Sequence, residues 1–137
     1  MLESSLFYET ENYTLYSEGN SYLKIDWKTK VASEHIRKGL QEALEIMQAS
    51  GIKKLVSNTM QCSSSWTSSN DWIAFTWLPQ ALQNGLQKVA FVISDDVMQK
   101  ISIDNLKTKL QKKYRFIHRY FQVFQQENGA LDWLGDS

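Results

Sequence analysis

The stretch Lys88-Val89-Ala90-Phe91-Val92-Ile93-Ser94 holds five consecutive apolar side chains between polar ends. Side chains of a strand point alternately to its two faces. A strand that is apolar at every position therefore needs cover on both faces, and in an α/β sheet helices supply it. The expectation is that Val89 to Ile93 runs inside a sheet, with helices above and below. Any fold for this chain has to be built around that segment.

The flanking sequence supplies the other elements. Leu6-Phe7-Tyr8 and Tyr13-Thr14-Leu15-Tyr16 are aromatic and β-prone. Leu23, Ile25 and Trp27 alternate with Tyr22, Lys24 and Asp26, the period of a half-buried strand. Gly19-Asn20 between these runs is turn chemistry and predicts an antiparallel hairpin. A helix follows over about 33–49, with Ser33 as its cap and Glu34 in its first turn. Ile36, Leu40, Ala43, Leu44 and Met47 share one face of it, and Gly51 ends it.

Residues 53–57 read as a short strand and Asn58 to Ser65 as a polar loop. A second helix starts near Ser68, with Asp71 completing a capping box. Pro79 kinks it or ends its first segment, and Gly85 closes it. Ile103, Leu106 and Leu110 mark a third helix over about 100–113, and Phe116 to Phe124 reads as the final strand. Ala130, Leu131, Trp133 and Leu134 lie on a last helix. The order β-β-β-α-β-α-β-α-β-α predicts an α/β fold: a mixed sheet with an N-terminal antiparallel hairpin, then alternating helices and strands.

Composition limits the function. At 137 residues, without repeats or a Pro/Gly-rich linker, the chain reads as one domain over 1–137. Fifteen basic residues balance fifteen acidic ones, which argues against a protein built to hold nucleic acid or an anionic membrane. The charge is uneven, however: Lys107, Lys109, Lys112, Lys113, Arg115 and Arg119 crowd one segment without an acid. That segment reads either as a solvated helix face or as a patch for phosphates or an acidic partner. One cysteine, Cys62, excludes an internal disulfide, and no apolar run approaches a membrane span, so a cytoplasmic location without membrane insertion is expected.

No catalytic set emerges. His35 and His118 fall on different elements, no nucleophile elbow or glycine-rich phosphate loop is present, and no metal-ligand spacing occurs. Asp95 and Asp96 suit a turn and a helix cap. No enzyme activity, cofactor or metal is therefore expected. The feature with most functional content is aromatic: Trp66, Trp72, Phe75 and Trp77 crowd one loop and helix. Trp72 and Phe75 share a helix face, while Trp77 points elsewhere. These rings form either core and lid, or a pocket or partner surface at the carboxyl ends of the strands, with Asn58, Ser63, Ser64 and Ser65 as a polar rim.

Several segments together carry a family resemblance. They are residues 22–27 (YLKIDW), 53–58 (KKLVSN), 71–73 (DWI) with 77–79 (WLP), 88–92 (KVAFV) and 130–134 (ALDWL). The chain resembles small bacterial proteins, of a type common in Bacteroidetes, with a STAS/SpoIIAA-like fold. The resemblance covers nearly the whole chain. It implies a regulatory domain that binds protein partners. Two positions depart from the pattern: Asn58 stands where an Asp is common, and Gln125-Gln126 replace an Asp-Ser cap. The phosphorylated serine of the better-studied relatives has no good match, so that site is not carried over. The expected function is a non-enzymatic binding or regulatory module acting through protein contacts, with a homodimer as one form. The alternative is a small apolar ligand or lipid carrier with the aromatic helix as its lid.

Overall fold

The computed structural model describes residues 4–62 and 66–135. β1 (Ser4–Glu9), β2 (Tyr13–Glu18) and β3 (Tyr22–Trp27) form an antiparallel meander. β4 (Lys54–Asn58), β5 (Lys88–Val92) and β6 (Phe121–Phe124) continue the sheet in parallel with β3. The strands lie side by side in chain order, β1 to β6, in a six-stranded mixed sheet.

Because every crossover advances one strand in the same direction, the connecting helices share one face. α1 (Ser33–Ser50) contributes Ile36, Leu40 and Leu44 to that face. α2 (Asn70–Trp72) and α3 (Leu78–Gln83), joined by a π-helical turn over Ile73–Trp77, add Ile73, Trp77 and Leu78. α4 (Val97–Lys113) adds Ile103, Leu106 and Leu110. They pack on Leu15, Leu23, Ile25, Leu55, Val89 and Phe91 of the sheet. α5 (Glu127–Gly135) covers the opposite face, where Ala130 and Leu134 meet Val56, Ala90 and Val92. β5 is therefore shielded on both sides, as its unbroken apolar run requires: Val89 and Phe91 belong to the core under α1–α4, Ala90 and Val92 to the one under α5.

Local chemistry explains most boundaries and corrects some expectations. Gly51 ends α1 at φ 79°, and its N–H donates to Met47 O at 2.9 Å. Ser33 is not the cap of α1. Ala32 occupies that position, and His35 Nδ1 accepts its backbone N–H at 3.0 Å. Asp71 does not complete a capping box either; it pairs with Lys109 at 2.7 Å. Asn58 belongs to β4 rather than to the loop, in register with Asp26 and Val92. Pro79 distorts its helix as expected. The turn before it widens so that Leu78 N–H donates to Ile73 O, five residues back. The final strand is shorter than its sequence indicates. Ile117–Arg119 form a 3-10 turn that buries Ile117, and pairing with β5 begins only at Phe121. Aromatic content favours a strand, but pairing partners decide where it starts.

Among the described residues, no helix is long and apolar enough to cross a membrane.

Candidate functional site

Open α/β sheets gather ligands and partners at the carboxyl ends of their parallel strands. In this protein one buried side chain organises that end. Gln99, in the first turn of α4, is 4% exposed. Its Nε2 donates to Thr59 O at 2.8 Å and to Cys62 O. Its Oε1 accepts from Thr59 Oγ1 at 3.1 Å and from the Ser94 N–H at 3.2 Å. Asp96 caps the helix by accepting the Gln99 N–H at 3.0 Å, the use expected of this acidic pair. One turn on, Ser102 Oγ accepts the Trp66 N–H at 3.1 Å. The segment after β4 is thus fastened at both of its described ends to the first turns of α4. Gln99 and Ser102 were not singled out by sequence. The available signal was that Gln99 interrupts the stripe of Ile103, Leu106 and Leu110 with a polar group in phase with it.

The opposite side of those turns is apolar and open. Val97 is 67% exposed, Met98 50% and Ile101 54%. Val97 and Ile101 are one turn apart and so adjacent on the helix surface. Met60, in the segment that Gln99 holds, is exposed as well.

The aromatic residues expected to line a site are divided between interior and surface. Trp66 and Trp77 are buried. Trp66 stands edge-on to Trp27, with ring centres 4.9 Å apart, and edge-on to Phe91 at 6.2 Å. The Trp77 Nε1–H donates to Leu40 O at 2.8 Å. Trp72 is half-buried beside the Arg37 guanidinium, and Phe75 is exposed with the Lys113 ammonium 5.1 Å from its ring centre. Phe75 therefore faces outward and Trp77 inward, with Trp72 at the margin of the core; Trp77 does lie on a different face from Phe75, as the helical spacing indicates. Ser63, Ser64 and Ser65 lie outside the described residues. The void beside Trp66, bordered by Phe91, Gln99 and Leu106, measures about 20 Å³. That is room for about one water molecule, where an apolar ligand takes roughly 300 Å³ or more.

Asn58 belongs to a second cluster, on the sheet face that α5 partly covers. Its Nδ2 donates to Asp26 Oδ1 at 3.0 Å, and its Oδ1 accepts the Met60 N–H at 3.0 Å. Asp26 Oδ2 accepts the Tyr16 hydroxyl at 3.1 Å. Lys24 is buried between Asp26, 3.6 Å away, and Glu127 at the start of α5. Burial opposes its charge, but the Glu127 carboxylate, the Tyr16 hydroxyl and Asp26 together outweigh burial and raise its pKa. Burial raises that of Tyr16, with Lys24 pulling it back. Two further lysines hold the other end of α5: Lys54 Nζ donates to Leu134 O at 2.5 Å and Lys88 Nζ to Trp133 O at 2.6 Å. Cations at the carbonyl end of a helix also interact favourably with its dipole. The cluster is a fastening for α5, with every polar group partnered.

Asn58 holds its place in this cluster as a neutral donor. Asn58→Asp would set a second carboxylate against Asp26, and the pair would resist shared ionisation. The pair's pKa rises on folding, so the penalty is full at neutral pH and disappears as pH falls below about 4. Urea denaturation is expected to show a loss of about 1 kcal/mol at pH 7 and no loss at the acidic end. Equal stability at both pH values would show that this amide is not needed for the fit.

No family model, curated protein or solved structure is matched by this chain.

Proposed function

We propose that the chain is a non-enzymatic binding or regulatory domain of the cytoplasm, with a STAS/SpoIIAA-like fold, that works through protein contacts with a partner or with its own copy. The observation that carries the reading is the outward apolar stripe of Val97, Met98 and Ile101 on α4. These residues add nothing to the core, yet the helix that carries them is pinned by Gln99 and Ser102. A rigid helix with exposed apolar groups beside a strand-end loop is suited to a partner surface. The mixed six-stranded sheet, opening on an antiparallel hairpin and continuing through alternating helices and strands, agrees with the α/β class that the resemblance implies. Three of the groups that chemistry would use are otherwise engaged: His35 caps α1, Cys62 is buried, and Asp96 caps α4.

The test is association measured by size exclusion with light scattering, together with retention of a partner from extract. The wild-type chain should show one or the other, and Met98→Glu with Ile101→Glu should abolish it. Both sites are exposed, so the variant should lose no more than about 0.5 kcal/mol of stability. A wild-type chain that is strictly monomeric and retains no partner would overturn the reading.

A further inference from the structure

The sheet has two edges, and they are not alike. At β1 the register with β2 breaks between Leu6 and Tyr8, an irregularity of the kind that hinders pairing with another chain. β6, Phe121-Gln122-Val123-Phe124, has an unbroken register with β5 and carries no charge and no proline. The Val89 N–H donates to Tyr120 O at 2.7 Å and the Ile93 N–H to Phe124 O at 2.9 Å. In a parallel ladder this phase turns the even-numbered amides of β6 toward β5 and those of Phe121 and Val123 outward. Beside that edge runs an open groove of about 290 Å³, formed by Lys107, Leu110 and Gln111 of α4 with His118, Phe121 and Val123. A groove between a helix and an edge strand accepts an extended peptide: main-chain bonds supply affinity and alternate side chains fill the groove.

The segment that forms most of the groove is basic, with Asp104 of α4 the last acid before it. From residue 105 to residue 126 the chain holds six lysines and arginines and no acid. Among the described residues only Lys109 of these six has a carboxylate within ion-pair distance. Arg115 and Arg119 instead lie over the exposed Phe116 ring, 5.4 and 4.6 Å from its centre. Lys107, on the wall of the groove, is exposed.

We propose that an extended acidic segment of a partner protein adds to β6 as a seventh strand. Its backbone pairs with Phe121 and Val123, its apolar side chains enter the groove under α4, and its carboxylates meet Lys107 and the neighbouring arginines. This rests on the reading that the chain acts through protein contacts, and it names the chemistry of the partner.

The experiment uses the full chain labelled with nitrogen-15. It is titrated with a pool of blocked peptides of about six residues, long enough to span the strand, in which Glu alternates with Val, Ile, Phe or Tyr. Saturable shifts are expected at the amides of Phe121 and Val123, with β1 unmoved. Binding should weaken at high salt and in Lys107→Glu, because the charges are exposed. N-methylation of every second peptide nitrogen should weaken binding about tenfold in one phase and little in the other, since only one set of amides pairs with the edge. Unmoved amides of Phe121 and Val123 at about 1 mM peptide would overturn the proposal, as would binding indifferent to N-methylation. Protection of those two amides without peptide, in a particle of twice the mass, would assign the edge to a second copy and equally overturn it. If the peptides fail while Met98→Glu with Ile101→Glu still abolishes association, this inference falls and the protein-contact reading stands.

Discussion

Trp77→Ala is expected to lower the stability of the folded protein by about 3–5 kcal/mol, the range for emptying a large aromatic site in a core. Trp77 is 1% exposed, and its indole N–H is spent on Leu40 O of α1 at 2.8 Å. The side chain thus joins the π-helical turn to α1 both by burial and by a hydrogen bond. Trp77→Phe keeps most of the apolar area and gives up that bond, so its cost should be smaller, about 1–2 kcal/mol. Urea denaturation of both variants provides the measurement. The result decides between two roles for the aromatic helix, because a movable lid can lose an aromatic ring for about 0.5 kcal/mol or less. An alanine variant with the wild-type midpoint would restore the lid and remove the solid core.

The second large effect is expected at Gly39, where helix propensity and packing oppose each other. In the interior of a helix alanine is favoured over glycine by about 1 kcal/mol. A Cβ at Gly39, however, would lie 2.6 Å from Trp27 Cη2 and 2.9 Å from Ile25 Cδ1. Both of those side chains are themselves buried, so neither can swing into solvent. Trp27 is fixed further by the bond from its Nε1–H to Ser57 Oγ at 2.9 Å and by edge contacts with Tyr13 and Trp66. Overpacking of this kind costs roughly 1–3 kcal/mol per added group. Gly39→Ala should therefore destabilise by up to about 2 kcal/mol net, and Gly39→Val by more. The origin of the loss can be isolated by repeating Gly39→Ala in Trp27→Leu, where the smaller side chain leaves room. There the cost should vanish or reverse, a coupling of about 1 kcal/mol or more. A higher thermal midpoint for Gly39→Ala in the wild-type background would mean that α1 lifts from β3 without strain.

The two residues show where sequence reading holds and where it stops. Gly39 sits within the α1 pattern without disturbing it, and only the close approach of helix and sheet makes its missing side chain a requirement. Trp77 could be assigned to a different face from Trp72 and Phe75 by helical spacing alone, but spacing does not say which face meets the sheet. The candidate site divides in the same way. Asp96 was legible as a helix cap because capping is local. Asn58 was legible as a polar residue after an apolar run, but its partner Asp26 lies 32 residues away and is reached only through strand pairing. Lys24 occupies an alternating position that reads as a solvent face. It is buried because α5, a hundred residues later in the chain, brings Glu127 across it.

The outline of helices and strands, the turns at Gly19 and Gly51, and the need of β5 for two apolar covers are legible in the amino-acid sequence. These follow from the period of apolar side chains and from the fixed backbone preferences of glycine and proline, which act within a few residues. The strand order, the length of β6, the split of the tryptophans between core and surface, and the outward stripe on α4 arise from packing between distant segments. Burial is a property of two surfaces meeting, and no single segment carries the identity of the surface that will cover it.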